Sequence, residues 1–343
     1  MLPFILLGFS VVAGALGVGA AIDAVDKFNK AKRIAERAKN RLEREQKEVQ
    51  KRLKSLEPKL NQLGRLYTEI YTQDFKMFAQ LLRSISNTEL VLKSQPKELK
   101  VWMKELPRLE TNIDFVEKAL EGALKGTFKG GMNAFFTYIG VTGFAIKIGT
   151  ASTGTALSAL SGAALENALL AWFGGGSLAA GGLGVAGGAF VLGGIVAGPA
   201  ICIAGFTLNK QAEKALTEAK EYEKEVQKAI AQMTVFEKNL KIVEQKVEEE
   251  LQVLPRLRGY FLREMELTEK YFNLARSEIM FRSLRKKAEK EFPKHLQRAL
   301  VLGKTLKEII SQPLITDREK FLYNTLRGKA LENAKRAVRN YSL

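Results

Sequence analysis

The sequence predicts an all-α protein: an elongated coiled-coil helical bundle bearing a glycine-rich, apolar, membrane-inserting helical hairpin. Three observations carry this expectation. Apolar side chains recur every seven residues in two separate stretches, the mark of a helix–helix seam. Charge is segregated, with no charged side chain in residues 1–22 and only Lys147 and Glu166 in residues 130–209. Strand-like alternation is almost absent outside the apolar centre.

Of 343 residues, 54 are Lys or Arg and 37 are Asp or Glu, a net charge of +17. The surplus sits in residues 23–129, with 24 basic and 16 acidic side chains, and in residues 256–343, with 21 and 10; residues 210–255 hold 8 and 10. A single cysteine, Cys202, rules out an intramolecular disulfide, and with His295 as the only histidine no thiolate–imidazole zinc site can form. The same scarcity leaves little room for Ser-His-Asp or Cys-His catalysis. A non-enzymatic protein with no cofactor and no small-molecule substrate is expected.

Residues 1–22 make the first segment, an apolar helix acting as anchor or inserting arm. Leu2–Ile22 has about the length that a helix needs to cross a bilayer core, and Leu2 and Phe4 are assigned to the membrane. No basic n-region precedes the run, as a secretory signal requires. Lys27, Lys30, Lys32 and Arg33 follow it and would keep that flank cytoplasmic. A core helix, or an arm packed on the body until released, is the alternative.

Residues 23–129 read as a basic coiled-coil arm. Phe28, Ala35, Leu42, Val49, Leu56, Leu63 and Ile70 form one row, and Gln46, Leu53, Leu60 and Tyr67 form its companion. Pro58 should kink or divide this helix. Further periodic helices cover 66–93 and 96–124.

Residues 130–209 are the apolar head and take 19 of the 29 glycines. Met132–Ile148 and Ala179–Leu208 would be the limbs of the hairpin. Phe135, Phe136, Trp172, Phe173, Leu183, Phe190, Ile195 and Ile201 would enter lipid, with Lys147 reaching the headgroups. Glycine at this density disfavours a water-exposed helix. Gly184 with Gly188, and Gly194 with Gly198, form GxxxG pairs at which helices approach closely. A buried hairpin or short β-tongue that never meets lipid is the alternative. Gly182–Gly187 also matches G-x-G-x-x-G, but no acid follows at the ribose-binding distance and no βαβ pattern surrounds it, so the match is discounted. Glu166 reads as a solvated loop or helix-end residue, and an ion path or a polar hairpin tip remains open. Cys202 reads as a small apolar side chain.

Residues 210–255 form the second arm. Ala212, Ala219, Val226, Met233, Leu240, Val247 and Leu254 lie in one row, and Ala215, Tyr222, Ala229, Phe236 and Val243 in the other. Pro255 should end the helix. Residues 256–343 are a basic helical region with helices over 256–290, 293–311 and 316–340. Arg282, Arg285, Lys286 and Lys287 suit anionic lipid headgroups, which attract such residues by about 1 kcal/mol each. Nucleic acid is not expected as a partner, because the aromatics near this patch, Tyr260, Phe261, Tyr271, Phe272 and Phe281, fit the buried stripe of a helix. His295 reads as an ordinary surface residue.

Heptads at 28–70 and 212–254 bracketing the apolar run 130–209 give a layout that resembles the α-helical pore-forming toxins, the cytolysin A and tripartite haemolysin group. The resemblance covers most of the chain and includes no specific motif. It implies a tail of long helices, a head that inserts into an anionic bilayer, and homo-oligomeric assembly into a pore. Residues 157–190, LSALSGAALENALLAWFGGGSLAAGGLGVAGGAF, also look like a segment of uncharacterised bacterial membrane-associated proteins. The expectation is therefore a membrane-associated bacterial protein with a soluble form before insertion. A membrane-anchored coiled-coil scaffold or membrane-remodelling protein of the bacterial cytoplasm, including a defence effector, is the second reading.

Overall fold

Rows of apolar side chains spaced by seven can be buried only if the backbone is helical and a second helix covers them. The computed structural model describes residues 18–86, 88, 96–125, 212–277, 281–317 and 321–341, with Met132, Phe135, Phe136, Ile139, Gly140 and Gly143. About 93% of the interpretable residues are helical, so the protein is all-α. Helix α1 covers Val18–Glu69 and passes through a π-helical turn, Ile70–Asp74, into α2, Phe75–Ser86. Helices α3 (Lys97–Leu124), α4 (Ala212–Arg276) and α5 (Arg282–Ile310) follow. Strands β1 (Ile315–Asp317) and β2 (Leu322–Tyr323) precede the last helix, α6 (Thr325–Tyr341).

Prolines depart from the sequence expectation. Pro58 and Pro255 divide nothing, and Pro107 and Pro293 also lie inside helices. Pro58, Pro107 and Pro255 occupy exposed faces. There water can take over the carbonyl that loses its N–H partner. Pro96 does precede a helix start, and Pro313 lies just beyond the end of α5. The expected helix from 316 begins only at Thr325, because β1 and β2 pair as an antiparallel hairpin with Ile315 opposite Tyr323. Asn324 then starts α6, its Oδ1 accepting from Leu326 N–H at 3.0 Å.

The chain divides into two compact units, one of Met1–Leu53 with Ala189–Lys238 and one of Lys54–Gly188 with Asn239–Leu343. In the first, α1 and α4 pack through small side chains, with Ala31, Ala215 and Ala219 buried together against Phe28, Ile34 and Leu216. Lys27 pairs with Glu213 at 3.0 Å and Arg52 with Glu237 at 2.9 Å. These separations of 186 and 185 positions are nearly constant, so the two helices run parallel.

The second unit repeats the parallel arrangement. Lys59 pairs with Glu244 at 2.7 Å, Tyr67 bonds Glu250 at 2.5 Å and Arg258 bonds Asp74 at 2.6 Å, with offsets of 185, 183 and 184 positions. The seam Leu56, Leu63 and Ile70 is matched at the same spacing by Leu240, Val247 and Leu254, all buried. The π-helical turn adds one residue and shifts the phase of the buried stripe. The phase of Leu63, Tyr67 and Ile70 continues to buried Asp74 and stops before exposed Met77, while Tyr71, Phe75, Phe78 and Leu82 carry the stripe onward. Phe75 and Phe78 meet Trp102 of α3 and Phe261 of α4 at centroid distances of 5.0–6.3 Å, and Trp102 donates to Leu300 O of α5 at 3.0 Å. Helices α2 and α5 pack on α3, and α6 packs on α5.

Two glycines make a close backbone crossing in this unit. A Cβ on Gly64 would lie 1.8 Å from Phe136 O, and one on Gly140 would lie 2.2 Å from Leu60 O. Any side chain there would enter the opposite backbone.

Candidate functional site

Of the side chains expected to enter lipid, the structure describes Phe135 and Phe136. Phe135 is 1% exposed and its ring lies 5.5 Å from that of Phe136. Phe136 is half-buried beneath the Arg65 guanidinium, 5.0 Å from its ring centroid. Within the limb Met132–Ile148, Gly143 has φ +56° and its N–H bonds Ile139 O at 2.8 Å; residues 144–148 lie outside the described residues. Leu2, Phe4, Lys147, Trp172, Phe173, Leu183, Phe190, Ile195 and Ile201 lie outside the described residues, as do Gly184, Gly188, Gly194, Gly198, Glu166 and Cys202.

The expected transmembrane and pore-forming character is overturned: among the described residues no helix is long and apolar enough to cross a membrane. The reason is visible along α1 and α4. Each buries one stripe and places charge between its turns, as with Lys39, Arg41, Glu43 and Arg44 flanking buried Leu42.

Charge inside the second unit is held by internal partners. Arg327 of α6 donates through Nε and Nη2 to both carboxylate oxygens of Glu250 at 2.8 Å, and through Nη1 to Gln312 O at 2.9 Å. Both side chains of this pair are 0% exposed. The Tyr67 hydroxyl donates to Glu250 and accepts from Arg327 Nη2. Burial drives the Tyr67 phenol well above its usual range against the pull of Arg327. At the π-helical turn, Arg258 grips Asp74 through Nε at 2.6 Å and Nη2 at 3.1 Å, and reaches Glu69 through Nη1 at 2.6 Å. Burial raises the Asp74 carboxyl and Arg258 pulls it back down.

His295 is not the surface residue expected from the sequence. Its Nδ1 lies 2.6 Å from Glu264 Oε2, and its ring stacks on Tyr271 at 5.2 Å. Sequence reading missed each of these clusters, although one signal for the first was present. Glu250 sits seven residues after Val243, where the heptad row calls for an apolar side chain. A charge at a seam position demands a counter-charge from elsewhere in the fold.

The start of α5 is different in kind. Arg282, Arg285, Lys286 and Lys287 are all exposed, as expected, and buried Ala288 fixes the turn to the body. Phe281 precedes them at 79% exposure and Leu284 lies among them at 46%. No acid lies in the first turn and no side chain caps it. Cations there oppose the positive end of the helix dipole, and the cluster and the dipole together favour an anion. One carboxylate tempers the patch, since Arg285 pairs with Glu289 at 3.2 Å. Among the described residues, no three His, Cys, Asp or Glu side chains gather in a group that could hold a metal ion. No protein-family model, curated protein or solved structure matches the chain.

Proposed function

We propose that the protein is a non-enzymatic helical scaffold, with α1 and α4 pairing as a parallel coiled coil, that docks peripherally on anionic lipid surfaces through the start of α5. The observation that carries this reading is the exposure of Phe281 and Leu284 within a cluster of four exposed cations. Phe281 at 79% exposure and Leu284 at 46% form a small apolar patch within the cations rather than a single scattered side chain. A lipid surface accommodates both, taking the ring between headgroups while phosphates neutralise the cations. No helix need cross the bilayer. The non-enzymatic reading is supported by composition: one histidine and one cysteine leave few of the side chains that nucleophilic catalysis uses.

The test is co-sedimentation of the full chain with phosphatidylglycerol-containing vesicles and with pure phosphatidylcholine vesicles. Binding should require the anionic lipid and weaken with salt. At about 1 kcal/mol per cation near the surface, reversing Arg282, Arg285, Lys286 and Lys287 to Glu should lower affinity by about 100-fold or more. Phe281→Ser with Leu284→Ser should weaken binding while leaving its salt dependence in place. Equal binding of the charge-reversed variant would remove the proposal.

A further inference from the structure

The buried Glu250–Arg327 pair links elements that contribute differently to the second unit. Glu250 belongs to the α4 seam and Tyr67 to the α1 seam, in the layer that follows Leu60 and Val243. Arg327 comes from α6, behind the β-hairpin, 77 positions after Glu250. The α1–α4 pair therefore cannot neutralise its own charged layer. Gln312 O, at the end of α5, takes the remaining Arg327 nitrogen at 2.9 Å, so the guanidinium is satisfied only where hairpin, α5 and seam meet.

We propose that the C-terminal hairpin and α6 form a releasable strap: the α1–α4 seam is closed at the Tyr67–Glu250 layer only while α6 is docked and supplies Arg327. If α6 leaves, Glu250 keeps the Tyr67 hydroxyl but loses its counter-charge, and a buried carboxylate held by one neutral donor is costly enough to open the layer and admit water. The neighbouring apolar layers, Leu63 with Val247 and Ile70 with Leu254, then lose their dry boundary. Other attachments of α6 include an outer ion pair, Lys335 to Glu249 at 2.7 Å, the Tyr341 ring 5.5 Å from that of Tyr260 in α4, and the buried side chains Ala330, Leu331, Ala334 and Val338. None of these compensates Glu250. Docking of α6 and closure of the seam are thus a single event because one position of the seam is charged.

The experiment is hydrogen exchange on the full chain with Leu331→Asp, alone and combined with Glu250→Leu. Leu331→Asp introduces charge into the buried face of α6 one turn after Arg327, so the Arg327→Met pair separates undocking of α6 from a direct effect on the ion pair. Alone, it should accelerate exchange by about 100-fold or more both in α6 and in residues 63–70 and 247–254, while α3 serves as reference. Combined with Glu250→Leu, α6 should stay fast while 63–70 and 247–254 return to wild-type protection, because an apolar seam has no need of the strap. A second pair, Arg327→Met and Arg327→Met/Glu250→Leu, should open and then restore the same seam residues, and it decides the matter if Leu331→Asp does not fold. Seam residues that behave alike with Glu250 and with Leu at 250, open in both or closed in both, would overturn the proposal.

Discussion

Replacing Gly64 by alanine brings a Cβ to 1.8 Å from Phe136 O. A carbon–oxygen contact needs roughly 3.3 Å, so the two backbones must part by about 1.5 Å. The obstructing atoms are main chain, and no rotamer change relieves them. A gap of even 0.5–1 Å forfeits about a quarter to a half of each dispersion contact, so Phe135 and Ile139 lose most of theirs. Overpacking costs about 1–3 kcal/mol and this case belongs at the upper end. Alanine returns about 1 kcal/mol of helix propensity, leaving a net loss of about 2 kcal/mol. Gly259 in α4 provides the control, because its Cβ would meet nothing within 4 Å. There the same substitution should stabilise the protein by about 1 kcal/mol. Urea unfolding followed by circular dichroism at 222 nm should therefore separate the two variants by about 3 kcal/mol, in opposite directions from wild type. Gly64→Ala and Gly259→Ala with the same midpoint would refute the backbone-on-backbone crossing.

Arg258→Gln removes the cation that grips buried Asp74 and should cost about 2–4 kcal/mol at neutral pH. Burial already raises the Asp74 carboxyl above its ordinary value, and loss of Arg258 raises it further. The folded group then binds a proton more readily than the unfolded one, so the variant should regain stability as pH falls through the folded value; a deficit independent of pH would contradict this. Burial pushes the Tyr71 and Tyr341 phenols up to about 12, and that of Tyr67 well above its ordinary value. The contribution of these phenols to stability should be constant below pH ~10, where unfolded tyrosine ionises, and fall between there and about 12. Ultraviolet titration should show these phenols ionising only as helicity is lost, and ionisation near pH 10 in the folded protein would exclude the burial argument.

How much was legible in the sequence follows from the kind of interaction involved. Helix and seam were legible because they depend on spacing alone. The rows from Leu42 to Ile70 and from Ala219 to Leu254 are buried as the heptads require. Ala31 and Ala38, also buried, were passed over because they fall four residues before Ala35 and Leu42, outside the two rows read from the heptads. Proline misled where it should have been read by face, since an exposed proline leaves its orphaned carbonyl to water. The cations at the start of α5 were recognised from composition. The exposure of Phe281 beside them was not, because the same residue type fits a buried stripe equally well.

The sequence by itself determined that the chain is helical, that two long helices each bury one stripe, and that one end of α5 is basic. Only the tertiary structure decided that α1 and α4 run parallel, that Gly64 and Gly140 form a crossing, and that Arg327 answers Glu250. The physical reason is range. Periodicity records which face of a helix is dry, and it is written within a few turns. Direction, the choice of partner and the neutralisation of a buried charge depend on groups separated by 77 to 186 positions. No local pattern encodes which of the 54 basic side chains will reach a given carboxylate.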